Sequence, residues 1–447
     1  MDKDKVLRDS IQRVQCVTLG CSKNRVDSEH LLRQLQAAGM QIAPEAENLY
    51  EGRVDAVILN TCGFIQDAKE ESIEAILDAV QAKQEGCVRY VFVFGCLSQR
   101  YREDLPDLIP EVDGYFGAYD IRPLLERMGV PYDPQLATRR YLTTPSHYAY
   151  LKISEGCDRT CSYCAIPKIR GKHCSVPMEA LVEEAQSLVD QGARELIVVA
   201  QDTTYYGLDR YRKRMLAPLL ERLSQISGVD WLRVHYSYPD AFPEDVLEIM
   251  AQDPKVAPYI DIPLQHISDK VLSAMRRSID GAQTRALIEK IRTRVPDAVL
   301  RTTLIVGHPG EGKREFRQLL DFVADYRFER LGAFPYSEEE GTWGAANLKD
   351  TLSRRIKQER YEELMELQSG ISYEYNLSRV GTRERVLIDS VSEDGVYVAR
   401  TQKESPEVDG EVLIRPTDGA ADRRLIGQFA EVEIAHADEY DLLANFI

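Results

Sequence analysis

Short apolar runs alternate with amphipathic segments along the first third of the chain. In the segments between the runs, apolar residues recur at the spacing of one helix face. This alternation is typical of strands and helices that build a parallel sheet. The sequence therefore predicts a parallel α/β domain over residues 1–135. Its strand candidates are VQCVTL, VDAVILN and RYVFVFG, and its helix candidates are DSEHLLRQLQAAG and SIEAILDAVQAK.

A proline-containing stretch, with Pro131, Pro134 and Pro145, interrupts both patterns and indicates a linker. Six further strand candidates follow it, each separated from the next by helix-compatible sequence. Six β/α units predict a partial (β/α)6 barrel over residues 145–375, which ends in a long charged helix. Parallel barrels carry their chemistry on the loops that follow the strands. The six candidates are YAYLKIS, ELIVVAQ, WLRVHYS, YIDIPLQ, VLRTTLIVG and RLGAFPYS.

In the last part of the chain, residues 376–447, the sequence pattern changes to short apolar runs separated by turns. The runs RVLIDSV, VYVAR, EVLIRP and FAEVEIAHA predict a small antiparallel β-barrel. This part has eight Lys or Arg against fifteen Asp or Glu. The predicted barrel is therefore acidic.

Bulk composition limits the kind of protein this chain can be. Its 447 residues suggest roughly three domains, and 44% hydrophobic with 29% charged residues is a globular composition. We find no signal-peptide core and no run long enough to span a bilayer, so we expect a cytoplasmic protein without membrane contact. The net charge of -17 repels nucleic-acid backbones and favours a basic partner.

Nine cysteines in a reducing compartment are candidates for metal or redox chemistry rather than disulfides. Cys157, Cys161 and Cys164 form a CxxxCxxC run directly after the first barrel strand. Three thiolates on one tight loop can hold three irons of a four-iron cluster and leave the fourth iron open to a ligand. The alternative is a structural zinc site that takes His173 or Cys174 as its fourth ligand.

A second set of thiols is spread along the first domain. Cys21, Cys62 and Cys96 each follow an apolar strand, and a parallel sheet would bring all three to its carboxyl edge. We therefore predict a second cluster with one open iron, against the alternative of three unrelated buried thiols. The other cysteines are interpreted as packing or inert residues; they are Cys16, Cys87 and Cys174.

Two strand ends of the barrel carry candidate cofactor contacts. TTLIVGHPGE places a Gly-Pro-Gly turn after a strand, where the backbone of Gly307, Pro309 and Gly310 can approach a nucleoside closely. Gln201 leaves another strand end and is a candidate for cofactor or substrate, whereas Asp202 is interpreted as a turn cap. His266 and His308 are interpreted as hydrogen-bonding residues of the site rim, without a catalytic role.

CxxxCxxC with an aromatic residue before the last cysteine resembles the signature of the radical S-adenosylmethionine superfamily. That resemblance implies that S-adenosylmethionine binds the open iron and that one electron cleaves it to a deoxyadenosyl radical. Tyr163 matches the aromatic position near the adenine, with ordinary packing beside the loop as the equal alternative.

Several motifs together resemble the methylthiotransferase family across nearly the whole chain. They are LGCSKN, NTCGFI, GCDRTCSYCAIPKIRG, AQDTT and GHPGE. The resemblance implies two [4Fe–4S] clusters, the auxiliary one on Cys21, Cys62 and Cys96, and a terminal TRAM domain that recognises the macromolecule. His308 departs from the aromatic or apolar residue that is common before Pro-Gly-Glu in the family.

HYAYLKISEGCDRTCSYCAIP, AQDTTYYGLD and YIDIPLQHIS resemble the protein-modifying members of the family. These methylthiolate the β-carbon of an aspartate in small-subunit ribosomal protein twelve, with one S-adenosylmethionine as methyl donor and a second as radical source. The acidic barrel and the acids of YSEEEGT agree with a basic partner on or near the ribosome, with only incidental nucleic-acid contact. An electron donor is also implied. The alternatives are a tRNA adenosine methylthiotransferase and a non-catalytic zinc or iron–sulfur module that binds ribosomes.

Overall fold

The amino-terminal unit is built on a five-stranded parallel sheet. Its strands are β1 (Arg13–Thr18), β2 (Gln41–Ala43), β3 (Val54–Thr61), β4 (Val88–Gly95) and β5 (Gly114–Tyr115). Their order, β2-β1-β3-β4-β5, puts the three predicted strands side by side at the centre. The edge strands β2 and β5 have three and two residues, which is too short for an apolar pattern to predict them. The predicted parallel α/β fold is confirmed.

Within the described residues, five helices accompany this sheet. They are α1 (Ser22–Ala37), α2 (Gln66–Gln84), α3 (Cys96–Arg100), α4 (Leu105–Leu108) and α5 (Arg122–Arg127). The computed structural model describes residues 11–416 and 420–447, so the first ten residues of the predicted domain lie outside it. The core on one side of the sheet contains Leu31 and Leu35 of α1, and the core on the other side contains Ile76 of α2.

The central unit has six parallel strands in chain order, as the sequence predicted. They are β6 (Tyr148–Lys152), β9 (Glu195–Val199), β10 (Trp231–Val234), β11 (Val256–Asp261), β12 (Val299–Val306) and β13 (Arg330–Pro335). A short antiparallel pair, β7 (Ser154–Glu155) and β8 (Cys174–Ser175), brackets the CxxxCxxC loop. The first and last of the six strands do not pair, which makes the predicted partial barrel an open one.

Ten helices cover the outside of this partial barrel and the loops at its strand ends. The first five are α6 (Ile166–Ile169), α7 (Met178–Asp190), α8 (Leu208–Tyr211), α9 (Leu216–Ser224) and α10 (Glu244–Gln252). The other five are α11 (Asp269–Ala274), α12 (Gly281–Arg294), α13 (Lys313–Tyr326), α14 (Trp343–Asn347) and α15 (Arg354–Ser378). The predicted long charged helix is α15, which runs to Ser378; the predicted boundaries between the units stay predictions.

The carboxyl-terminal unit is a closed five-stranded barrel. Its strands are β14 (Arg383–Val391), β15 (Tyr397–Arg400), β16 (Val412–Ile414), β17 (Phe429–Ala437) and β18 (Leu442–Phe446). Four of the five pairings are antiparallel. The pairing between β16 and β18 is parallel, because β18 returns antiparallel to β17 and so enters the gap in the direction of β16. The predicted small β-barrel is confirmed, with this one parallel closure.

The first two units share a buried ionic interface. Arg140, in the predicted linker, donates to Glu29 of α1 and to Glu184 of α7, with 2.9 Å from its Nε to Glu29 Oε2 and 3.0 Å from its Nη1 to Glu184 Oε1. It also donates to the carbonyl oxygen of Tyr150 on β6. Charges are stable in such a place only when they are paired, so this contact fixes the first sheet against the barrel.

A loop of the terminal barrel enters the strand face of the central unit. Ser405 lies 2.9 Å from His235 Nε2, measured from its Oγ, and both residues are buried. Glu407 accepts hydrogen bonds from the hydroxyls of Tyr148, at 3.1 Å, and Tyr150, at 2.8 Å. The terminal barrel is thus anchored on β6 and β10. Among the described residues, no helix is both long enough and apolar enough to cross a membrane.

Candidate active site

The CxxxCxxC loop lies between β7 and α6, with its three thiols as close neighbours. Gly156 begins the loop with φ +72°, and the backbone N–H of Cys157 donates to Gly171 O at 3.1 Å. Burial, and after it a charge on Cys161, raise the pKa of Cys164 to about 12. The pKa of Cys157 rises to about 11, again mainly through burial. Thiols that oppose one another's ionisation in this way fit a cationic group that binds all of them as thiolates.

Hydrogen-bond donors surround these sulfurs. The Arg159 backbone N–H lies 3.4 Å from Cys157 Sγ, and Nη1 of Arg277 lies 3.8 Å from Cys161 Sγ. The Tyr238 hydroxyl also lies 3.8 Å from Cys161 Sγ. Its ring is flanked by the guanidinium groups of Arg159 and Arg277, at 3.8 and 4.1 Å from the ring centroid. Hydrogen-bond donors to sulfur stabilise the negative charge of an iron–sulfur cluster. The residues around these thiols are therefore suited to hold such a cluster.

The second set of thiols lies at the carboxyl edge of the first sheet, as the strand-end rule predicted. Cys21 precedes α1, Cys62 directly follows β3, and Cys96 directly follows β4. A Cβ on Gly20 would lie 2.9 Å from Cys62 Sγ, so the glycine leaves room for this thiol beside Cys21. A thiolate at Cys21 raises the pKa of both Cys62 and Cys96, after the larger effect of burial. The structure therefore makes neighbours of three distant cysteines.

Arg170 is a buried cation beside this second set. Its Nε donates to Cys96 Sγ at 3.2 Å, and its Nη2 donates to Asn24 Oδ1 at 2.6 Å. Its Nη1 donates to Asp27 at 3.0 Å and to both carboxylate oxygens of Glu155, at 2.9 and 3.0 Å. Burial raises the pKa of Cys21, but the charges of Lys23 and Arg170 outweigh burial, so the pKa is lowered. The cation thus favours thiolates in the second set.

Gln201 binds the residue that directly precedes the loop of the first thiol set. Its Nε2 donates to Glu155 Oε1 at 3.1 Å, and Glu155 directly precedes the loop that begins at Gly156. The Oε1 of Gln201 is buried and has no partner in the part of the chain that the structure describes. A buried acceptor without a donor is costly, which fits a position that receives a hydrogen bond from a bound cofactor.

The Gly-Pro-Gly turn reaches the cysteine loop through His308. Its Nε2 lies 3.3 Å from Ser162 Oγ, and its ring meets Tyr163 edge to face with 6.4 Å between centroids. Burial lowers the pKa of His308 to about 4, so the imidazole is neutral at physiological pH. Gly307 and Gly310 have φ of +77° and +101°, values that suit glycine. Tyr163 and the turn, both predicted as cofactor contacts, are therefore close to each other.

Glu311 holds this turn in place. It accepts from the backbone N–H of Gly307 at 3.0 Å and lies 3.2 Å from Nε2 of His266. Arg360 of α15 forms a further ion pair with it. Sequence reasoning interpreted His266 as a hydrogen-bonding residue but missed Glu311, although GHPGE contains it next to the turn.

The residues proposed for the zinc alternative are engaged elsewhere. His173 has its Nε2 3.1 Å from Ser175 Oγ, and its ring meets Tyr205 at 4.9 Å. Cys174 is exposed on β8. Among residues 11–416 and 420–447, no three His, Cys, Asp or Glu side chains are grouped to hold a single metal ion. The thiolates of a four-iron cluster each bind a different iron, so they do not converge on one point. The absence of a single-ion site among these described residues therefore applies to the zinc alternative and not to a cluster.

Three family models match the chain in succession. Residues 13–117 match the uncharacterized protein family UPF0004, residues 151–323 the radical SAM superfamily and residues 380–447 the TRAM domain. The chain is 49% identical over 436 residues to the ribosomal protein uS12 methylthiotransferase RimO of Bacteroides thetaiotaomicron, an alignment that covers 98% of each protein. The RimO of Porphyromonas gingivalis is 52% identical over 435 residues, with 97% of this chain and 99% of that protein covered.

The chain belongs to the RimO-type methylthiotransferases. Members are transferases, and the radical SAM superfamily to which they belong implies S-adenosylmethionine and a [4Fe–4S] cluster as cofactors. Solved structures of lower identity show the same fold. One is the radical S-adenosylmethionine methyltransferase TsrM of Kitasatospora setae, with TM-score 0.53, 14% identity and 72% of each chain covered. Another is the cobalamin-dependent enzyme OxsB, with TM-score 0.50, 13% identity, and 81% of this chain and 56% of that chain covered.

Sequence reasoning missed four residues other than cysteine that lie within hydrogen-bond distance of the sulfurs. They are Arg159, Arg170, Tyr238 and Arg277. One signal was available for two of them, since Arg159 and Arg170 lie within or just after the RimO-type cysteine run. Tyr238 follows β10 and Arg277 follows α11, and nothing local distinguishes them from ordinary surface residues.

Proposed function

We propose that this chain transfers a methylthio group to the β-carbon of an aspartate in ribosomal protein uS12, the small-subunit protein twelve. The reaction uses two [4Fe–4S] clusters and two molecules of S-adenosylmethionine. The observation that carries this proposal is the arrangement of two sets of three thiols at the facing ends of two parallel sheets. The near full-length identity to proteins named uS12 methylthiotransferases supports the substrate.

Each thiol set serves one cluster. Cys157, Cys161 and Cys164 bind the cluster that takes S-adenosylmethionine, and the second set binds the auxiliary cluster. Three rather than four thiolates at each site leave one iron of each cluster open. The second set consists of Cys21, Cys62 and Cys96.

Cofactor contacts follow from the residues around the first set. Gln201 offers its unpartnered Oε1 as an acceptor for the methionyl or ribosyl part, and Tyr163 lines the adenine. Within the turn of Gly307, Pro309 and Gly310, the backbone is open to the nucleoside at Gly310, because only Ala274 Cβ lies within 4 Å of its Cβ position. The Cβ position of Gly307 is filled by the Lys357 side chain. When bound, the clusters and S-adenosylmethionine supply the electron, the deoxyadenosyl radical and the sulfur-bound methyl group.

The protein contributes positioning rather than acid–base chemistry. The C–H bond at an aspartate β-carbon is not acidic enough for a general base to remove its proton. Breaking it therefore requires a radical cofactor. The side chains around Cys161 and the His308 turn hold the cofactor site rigid and exclude water. His308 is neutral, so it orients the loop through Ser162 without adding charge.

An acidic surface supports a basic protein as the substrate. In YSEEEGT, Glu339 is buried and accepts from Lys69 and Arg100, both at 3.0 Å, whereas Glu338 and Glu340 are exposed. Arg100 also donates to the carbonyl oxygen of Gly63, at 2.8 Å, which ties this loop to the auxiliary thiols. Ribosomal proteins are cationic. A net charge of -17 and two exposed carboxylates beside the site therefore favour a ribosomal protein as the substrate. The chain acts in the cytoplasm, on or near the ribosome, with a separate electron donor.

Mass spectrometry of small-subunit proteins from cells with and without this chain tests the substrate. We expect uS12 from the cells that contain it to carry the added methylthio mass on an aspartate. In a reconstituted assay, uS12 and tRNA are offered separately; modification of tRNA adenosine alone would replace this proposal by the tRNA alternative.

Cysteine variants test the division of labour between the two sets. Cys161→Ala should abolish reductive cleavage of S-adenosylmethionine, whereas Cys62→Ala should keep cleavage and lose methylthio transfer. Cys174→Ala is the matched control, since this thiol is exposed and lies just outside the loop. Zinc without acid-labile sulfide in anaerobically purified protein, together with no cleavage after reduction, would favour a non-catalytic binding module.

A further inference from the structure

Arg170 connects the second thiol set to Glu155, which lies just before the loop of the first set. It lies at the end of α6, in the central unit, yet its guanidinium contacts Cys96 and Asn24 of the first unit. On its other side, Glu155 bonds both Arg170 and Gln201. A chain of three side chains thus runs from the auxiliary thiols to the proposed cofactor contact. With 2% of its surface exposed, Arg170 has its charge offset by protein groups rather than by water.

The carboxylates around Arg170 do not fully cancel its positive charge at Cys96. Asp27 and Glu155 are its two carboxylate partners, and both also bind Lys152, which reduces the negative charge they offer to Arg170. In the part of the chain that the structure describes, neither carboxylate hydrogen-bonds to Cys96 Sγ, whereas Nε of Arg170 donates to that sulfur at 3.2 Å. An arginine keeps its charge at any pH a protein tolerates. The sulfur therefore faces a permanent cation and an N–H donor.

From this geometry we infer that Arg170 is a positioning residue that raises the reduction potential of the auxiliary cluster through Cys96. A fixed positive charge and an N–H donor at a ligand sulfur both stabilise the more negative, reduced form of an iron–sulfur cluster. The same contacts hold Glu155 and Gln201 against the first unit. This inference rests on the proposed assignment of Cys21, Cys62 and Cys96 as cluster ligands.

A redox titration followed by electron paramagnetic resonance tests the inference. The parent is the full chain with Cys157, Cys161 and Cys164 replaced by Ala and its iron and sulfide reconstituted, so that only the auxiliary cluster contributes. Arg170→Gln should move the midpoint potential to a more negative value, and Arg170→Lys should move it less because the charge is kept. A parent without bound iron would overturn the cluster assignment, and this inference with it.

Asp27→Asn tests the inference with an expected shift of the midpoint potential in the opposite direction. Removing this carboxylate leaves the charge of Arg170 less neutralised, so the potential should become more positive. Glu29→Gln is the matched control: it is the same kind of change two residues along the buried side of α1, at a carboxylate that binds Arg140 and not Arg170. It should weaken the domain interface and leave the potential unchanged.

The outcomes separate cleanly. A parent that holds the cluster, with Arg170→Gln and Asp27→Asn both at the parent potential, would overturn the role of Arg170 while leaving the proposed function standing. Should Arg170→Gln fail to fold or to hold iron, Asp27→Asn decides by itself: a positive shift supports the inference, and no shift overturns it. An equal shift in Glu29→Gln would show a general loosening of the interface and would also overturn it.

Discussion

Gly156 lies so close to Lys172 that a Cβ built on the glycine would be 2.2 Å from the Lys172 carbonyl oxygen. Gly156 has φ +72° and directly precedes Cys157, so the CxxxCxxC loop starts from a backbone position that only glycine fits without strain. The loop returns past Gly171, whose carbonyl oxygen accepts the Cys157 N–H. The entry and exit of the loop are therefore held together.

Gly156→Ala should displace the start of this loop and lose the first cluster. A backbone oxygen cannot move aside as a side chain can, so Cys157 would shift from its position. Iron in the reconstituted chain should fall by about half, with only the auxiliary cluster left. Gly171→Ala is the matched control, because Gly171 has φ +73° and nothing within 4 Å of its Cβ position. Equal iron loss in both variants would point to backbone strain in place of the clash.

Gly20→Ala should have the corresponding effect on the auxiliary site. The added methyl group would lie 2.7 Å from Cβ and 2.9 Å from Sγ of Cys62. We expect loss of methylthio transfer with S-adenosylmethionine cleavage retained, measured as product and as 5′-deoxyadenosine in the same reaction.

Gly39→Ala controls for strain in this second case. Gly39 has φ +93°, close to the +91° of Gly20, and nothing lies within 4 Å of its Cβ position. It should cost about 1 kcal/mol of stability and leave both activities intact. If Gly20→Ala transferred the methylthio group at the rate of the unmodified chain, the close approach of Gly20 to Cys62 would have no functional role.

Strand periodicity predicted much of this site because the rule behind it is local. Cys21, Cys62 and Cys96 each follow a strand, and parallel strands end at one edge, so their approach could be predicted without knowing the helices between them. The same reasoning predicted the turn at Gly307. The six central strands and the closed terminal barrel were also confirmed from their apolar patterns.

Other contacts depend on how separate units meet, and no local pattern encodes that. Arg170 is a single charge after a cysteine motif, and its contact with Cys96 joins residues 74 positions apart. Tyr238 approaches Cys161 across 77 positions. The parallel pairing of β16 with β18 likewise depends on the return path of the chain, since both strands have ordinary apolar sequences.

Glu29→Gln should strongly destabilise the contact between the first two units. Glu29 and Arg140 have side chains that are 0% exposed, and Glu29 also accepts from the Thr143 backbone N–H at 2.8 Å. Breaking a buried pair while one charge remains costs about 3–5 kcal/mol. Urea unfolding of the variant should show that loss. Arg355→Gln is the control, because its ion pair with Glu359 is mostly exposed and should contribute less than about 1 kcal/mol.

Glu184 makes this interface sensitive to acid. Burial raises its pKa, but His30 and then Arg140 lower it more, and the result is about 2. A carboxylate whose pKa is lower in the folded than in the unfolded chain stabilises the fold above the unfolded value, near 4.3. That contribution, about 3 kcal/mol, is lost progressively as the pH falls from there toward 2.

Urea unfolding of the unmodified chain, here the parent, and of Glu184→Gln at several pH values measures this contribution. The variant keeps the shape of the side chain but has no charge to titrate. Urea midpoints of the iron-free chains should differ most at pH 6, and the difference should narrow between pH 4.5 and pH 3 as the parent loses the contribution of the charge. A gap that stays constant over this range would mean that Glu184 acts through packing and hydrogen bonding, and that its charge contributes nothing to the acid sensitivity.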